Sequence, residues 1–165
     1  MEERELGAIA EAAAQVLSED GGHWKAAGTP EAAVAALGQI PAALADDIQM
    51  LATRLAALMQ VDTVTIRLEV VSTNACRKIH ADNTDLRLIT TYAGPGTQVL
   101  PPHSEVDPNN LWTMPTGWVG LFKGRAFGEG HEACLHRSPP MGDMGGERLV
   151  LVIDTPAFAR EGACA

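Results

Sequence analysis

The sequence predicts an α+β fold: N-terminal helices packed on a small double-stranded β-helix, a jelly-roll or cupin-like barrel. The first observation is a change of texture near residue 60. Before it, Ala, Leu and Glu dominate with apolar residues at helical spacing; after it, β-branched residues, Gly and Pro take over and no long helical stripe returns. The second is the count of six to eight short candidate strands in the next 95 or so residues, which suits two packed sheets. A chain of 165 residues fits one structural domain. Its expected parts are an N-terminal helical region (1–60), a β core (61–156) and a loose tail (157–165).

The elements follow in order. Residues 1–20 carry Leu6, Ile9, Ala13, Val16 and Leu17 at helical spacing, and Gly21-Gly22 should end that helix. His23 and Trp24 are expected in the following loop. Thr29-Pro30-Glu31 is a helix start, with a capping hydroxyl, Pro at the first position and an acid behind it. That short helix should stop near Gly38. Pro41 opens a longer helix whose Leu44, Ile48, Leu51, Leu55 and Leu58 make one apolar stripe. The stripe suits packing on the barrel and also allows a homodimer. VDTVTIRLEVV then alternates as a half-buried strand. Further strands are expected at about 76–80, 85–92, 97–100, 117–122, 132–137 and 147–154. Residues 101–116 form the longest irregular stretch, a rim or lid.

Composition excludes several classes. Apolar residues make up 46%, but no run is long enough to span a membrane. A net charge of −9 with scattered basic residues argues against an electrostatic nucleic-acid partner. The acidic start MEEREL lacks the pattern of a signal peptide, so a cytoplasmic location is expected. Three widely spaced cysteines, Cys76, Cys134 and Cys164, make no disulfide framework.

The chemistry centres on His80-Ala81-Asp82. On a strand, residues two apart share a face, so His80 and Asp82 can reach one ion. His136 stands at the end of an apolar-flanked strand before Pro139-Pro140, where a rigid sheet positions a ligand well. Two imidazoles and one carboxylate can hold one face of a non-haem Fe(II) and leave the other open. Arg148 opens the apolar run RLVLVID and shares a face with Val150. If 2-oxoglutarate fills two open positions on the ion, its distal carboxylate needs a buried cation, and a guanidinium offers a two-pronged donor. Tyr92 and Thr90 share a face and could assist; Thr91 and Arg87 occupy the other. The rival set is Cys76, His80, Cys134 and His136 around Zn, a closed structural or sensory site. A cupin-like metalloenzyme without an organic co-substrate is the third reading.

The segments HADN, RLITTY, HRSPP and RLVLVID together resemble the jelly-roll core of Fe(II)/2-oxoglutarate dioxygenases, especially prolyl-hydroxylase-like members. The whole pattern, with GPGT included, more closely resembles a bacterial family described as domain of unknown function 1826. The first resemblance covers about residues 75–155. It implies that His80, Asp82 and His136 bind the metal, that Arg148 and Tyr92 bind 2-oxoglutarate, and that a small molecule or peptide side chain is oxidised.

Overall fold

The computed structural model describes residues 1–18 and 22–156. The first helix, α1 (Ala8–Ser18), buries Ala12, Ala13 and Val16. It is shorter than the expected 1–20, because the residues ahead of it take another partner. Glu2 exchanges backbone hydrogen bonds of 2.8 and 2.9 Å with Val119. The expected stop at Gly21 and the tail from residue 157 lie outside the described residues.

His23 and Trp24 are not in a loop. They open β1 (His23–Gly28), which pairs antiparallel with β2 (Val64–Val71), His23 opposite Glu69. HWKAAG hides its alternation because Ala and Gly carry little strand signal; the partner strand supplies the order. Helix α2 (Pro30–Ala36) starts as expected, the Thr29 hydroxyl accepting from Ala32 N at 3.3 Å. Helix α3 (Ala42–Met59) ends at Gln60, whose φ of 53° closes it in the left-handed region. Its Leu44, Ile48, Leu51 and Leu55 are buried in one core with both other helices and the sheet, whereas Leu58 is 57% exposed.

The remaining elements are β3 (Leu86–Ala93), β4 (Gln98–Val99), β5 (Trp112–Thr113), β6 (Val119–Lys123), β7 (His136–Arg137), α4 (Met141–Met144) and β8 (Arg148–Asp154). No strand forms over 76–80; only His80 bridges, to His136. The 101–116 stretch is less irregular than expected, holding a 3-10 turn at Pro108–Asn110 and then β5. The strands make two antiparallel sheets, ordered β1-β2-β8-β3-β6 and β5-β4-β7, and their pairing closes no barrel among the described residues.

Parity decides what each face of the large sheet does. Ile66, Leu68, Leu88, Tyr92, Leu149, Leu151 and Ile153 face the helices. Ile89, Phe122, Val150 and Val152 face the other way and pack with Val99 and Cys134 from the small-sheet side. The candidate ligands lie on this second face. No helix among the described residues is long and apolar enough to cross a membrane.

Candidate metal centre and anion pocket

His80 and His136 are fixed to each other before any side chain is considered. Each backbone N–H donates to the other's carbonyl at 2.9 Å, which brings the ring centroids within 4.8 Å. Each ring is then turned by its own neighbourhood. His80 Nδ1 donates to Lys78 O at 2.8 Å and His136 Nδ1 to Cys134 O at 3.1 Å. A carbonyl can only accept, so each Nδ1 carries its proton and each Nε2 presents a lone pair. Phe122 packs 4.8 Å from the His136 ring and shields its flank.

Asp82 completes the group. Candidate ligand atoms of His80, Asp82 and His136 all lie within 4.8 Å of one another. His136 Nε2 is 3.3 Å from Asp82 Oδ2, and His80 Nε2 is 3.8 Å from Oδ1. Oδ2 is buried without a hydrogen-bond donor. Lone pairs facing a carboxylate at such distances repel unless positive charge lies between them, either a proton or a cation. Two imidazole nitrogens and a carboxylate oxygen form a donor set that a divalent transition metal accepts.

Arg87 holds the other Asp82 oxygen. Its Nη1 donates to Oδ1 at 2.5 Å, while Nε and Nη2 grip Asp154 at 2.6 and 2.9 Å. Burial pushes the Asp82 carboxyl up, but the neighbouring His136 and the charge of Arg87 outweigh it and leave the group below its ordinary value.

Arg148 is buried on the same face, in the wall of a cavity of about 90 Å³ that His80 and His136 also line. Its Nη2 donates to Thr91 Oγ1 at 3.1 Å and Thr97 Oγ1 at 3.0 Å, and Nη1 lies 3.5 Å from Ser138 Oγ. Nε has no partner, and no carboxylate of the described residues forms a salt bridge with this guanidinium. Burial holds its pKa down to about 10, against the pull of Glu69. A buried cation satisfied only by hydroxyls is a ready receptor for an anion. Thr97 is placed by the turn before it, where a Cβ on Gly96 would fall 1.7 Å from Met114 O.

The structure thus brings His80 and His136, with Asp82 grouped against them, to the cavity that Arg148 also lines, and leaves Tyr92 out. Tyr92 faces the helices, its hydroxyl donating to Asp47 Oδ2 at 2.7 Å beneath the Arg4 guanidinium. The strand parity explains the correction: Arg87, Ile89 and Thr91 point to the site, Thr90 and Tyr92 away from it. Neither Cys76 nor Cys134 belongs to the ligand group among the described residues. Cys134 packs against the small apolar cluster, and Cys164 lies outside the described residues. The residues missed in the sequence are Arg87, Asp154, Thr97 and Ser138. A charged residue inside an apolar strand and an acid closing RLVLVID were the available signals.

The family model described as a protein of unknown function, DUF1826, matches residues 7–154. No curated protein matches. Among solved structures, a Pseudomonas putida prolyl-4-hydroxylase is similar at 14% identity and a TM-score of 0.52, over 92% of this chain and 86% of that one. A bsmA homologue from Methylobium petroleophilum is 13% identical at a TM-score of 0.47, over 97% and 87%. The Fe(II)/α-ketoglutarate-dependent dioxygenase TqaL is 13% identical at 0.45, over 90% and 73%. At such identities the prolyl-4-hydroxylase likeness shows a shared fold, helices with antiparallel sheets.

Proposed function

For a chain that belongs to the DUF1826 family, we propose a non-haem Fe(II)-dependent oxygenase that takes 2-oxoglutarate as co-substrate and oxidises a small molecule or peptide side chain. His80, Asp82 and His136 would hold the ion, and Arg148 the distal carboxylate of the 2-oxo acid. The observation that carries this reading is a three-ligand cluster bordering the same cavity as a buried guanidinium without a carboxylate partner. Either feature alone has simpler readings; their meeting at one cavity supports a ligand that is chelated at one end and anionic at the other.

When bound, iron would supply O₂ activation coupled to oxidative decarboxylation of the 2-oxo acid. The chain's own contributions are positional. The two Nδ1–H bonds to carbonyls keep both Nε2 lone pairs aimed at the ion, without paying to turn the rings on binding. Thr91, Thr97 and Ser138 orient the Arg148 fork, so an incoming carboxylate meets fixed donors. Ile89, Phe122, Val150 and Val152 exclude water and strengthen that attraction.

Anaerobic titration of the Fe(II)-loaded protein with 2-oxoglutarate tests this, followed by the weak visible charge-transfer band of the chelate. A saturable band is expected, abolished in His136→Ala and right-shifted in Arg148→Met. A band of unchanged midpoint in Arg148→Met would show that Arg148 does not hold the distal carboxylate, whereas iron bound with no band would favour a cupin-like metalloenzyme with no organic co-substrate. No band, with one zinc per chain bound, would favour a non-catalytic metal-binding protein.

A further inference from the structure

Arg87 and Asp154 take no part in the ligand set, yet they hold its carboxylate. They are direct cross-strand partners, Arg87 on β3 opposite Asp154 on β8, so the register of two central strands builds their contact. Both are buried. Asp154 takes two prongs of the guanidinium and leaves Nη1 aimed at Asp82 Oδ1. Asp82 itself lies outside any strand, in the segment between the His80 bridge and β3, with its backbone carbonyl accepting from Arg125 N at 2.8 Å.

We infer that Arg87, clamped by Asp154, is a positioning residue for the metal centre: it occupies Asp82 Oδ1 and leaves only Oδ2 to a divalent cation. The inference rests on the metal-centre reading above and deepens it. A carboxylate can offer an ion one oxygen or both, and each choice leaves a different number of positions open. Planar and delocalised, the Arg87 fork cannot serve Asp154 with two donors and still swing away from Asp82. Asp82 is thereby fixed as a one-oxygen ligand, and the orphaned, buried Oδ2 is the oxygen that remains. Lys at 87 would keep the charge but not the three-way geometry.

The test is titration of metal-free protein with Co(II), reading affinity by calorimetry and coordination by visible absorption. The variants are Arg87→Lys and the double variant Arg87→Met/Asp154→Leu. The double variant removes the Arg87–Asp154 pair together and leaves the net charge unchanged, while releasing Asp82 Oδ1 and the Arg67 guanidinium that lies 3.8 Å from Asp154. Both variants are expected to melt cooperatively, to bind Co(II) about 10- to 100-fold more weakly than wild type, and to show a changed cobalt spectrum. Wild-type affinity and spectrum in Arg87→Lys would overturn the inference, and that variant decides alone if the double variant fails to fold. Wild-type protein that binds no Co(II), or binds it equally after His136→Ala, would instead sink the metal-centre reading and this inference with it.

Discussion

Arg148 sits where a charge is costly. Burial that holds its pKa to about 10 corresponds to about 3 kcal/mol against the charged form, and the hydroxyls of Thr91, Thr97 and Ser138 recover only part of it. Arg148→Met is therefore expected to leave the melting temperature unchanged or higher, while weakening 2-oxoglutarate binding roughly 100-fold. Calorimetric melting beside ligand titration checks both halves; a loss of more than about 2 kcal/mol of stability would make the guanidinium structural. Tyr92 shows the opposite economy. Its burial, and then the charge of Asp47, raise the phenol well above its ordinary value, so the folded chain keeps the proton after the unfolded chain has lost it. The sign follows: this contribution is whole below pH 10 and declines as the pH rises past it. Urea midpoints measured from pH 8 to 11 should fall more steeply for wild type than for Tyr92→Phe. At pH 8 that substitution should cost about 1–2 kcal/mol, because Asp47 loses one donor and keeps Arg4.

At the scale of elements, α3 separates what a sequence pattern conveys from what it leaves open. Its apolar residues at four-three-four spacing announce a buried stripe, and the stripe is buried, but the pattern cannot say where the supporting surface ends. It ends before Leu58. Leu51→Ala should therefore cost about 2–5 kcal/mol in urea unfolding and Leu58→Ala under about 0.5. The strand β1 was illegible for a related reason: Ala26, Ala27 and Gly28 form a strand because β2 offers an edge, not because they favour one. Turn chemistry was legible as a turn but not as a contact. Gly96 lies against the Met114 carbonyl, so Gly96→Ala must move backbone rather than side chain. We expect it to cost more than about 2 kcal/mol and to weaken 2-oxoglutarate binding through its neighbour Thr97, which denaturation and titration of the same sample would show.

For the whole molecule, His80, Asp82, His136 and Arg148 could be read from the sequence because each belongs to a short local signature. The Arg87–Asp154 pair could not, since it depends on which strands lie side by side, and no local pattern states that β8 enters between β2 and β3. Tyr92 was misassigned because alternation gives two faces without saying which one meets the site. A ligand that binds only the folded chain stabilises all of it: cobalt at a hundredfold excess over its dissociation constant should raise wild-type stability by about 2.7 kcal/mol. Thermal melts with and without the metal should show that gain, and His136→Ala should erase it.

The seven residues of β8 are all buried, with Leu149, Leu151 and Ile153 in the helix-side core and Arg148, Val150, Val152 and Asp154 on the opposite face. Gaining or losing a single residue inside the strand would reverse every side chain beyond that point, sending charge into the core and leucine into the cavity. The strand therefore tolerates exchange of residues one for one but not a change of length, and it acts as a fixed measure between Arg148 at one end and Asp154, the clamp on Arg87, at the other.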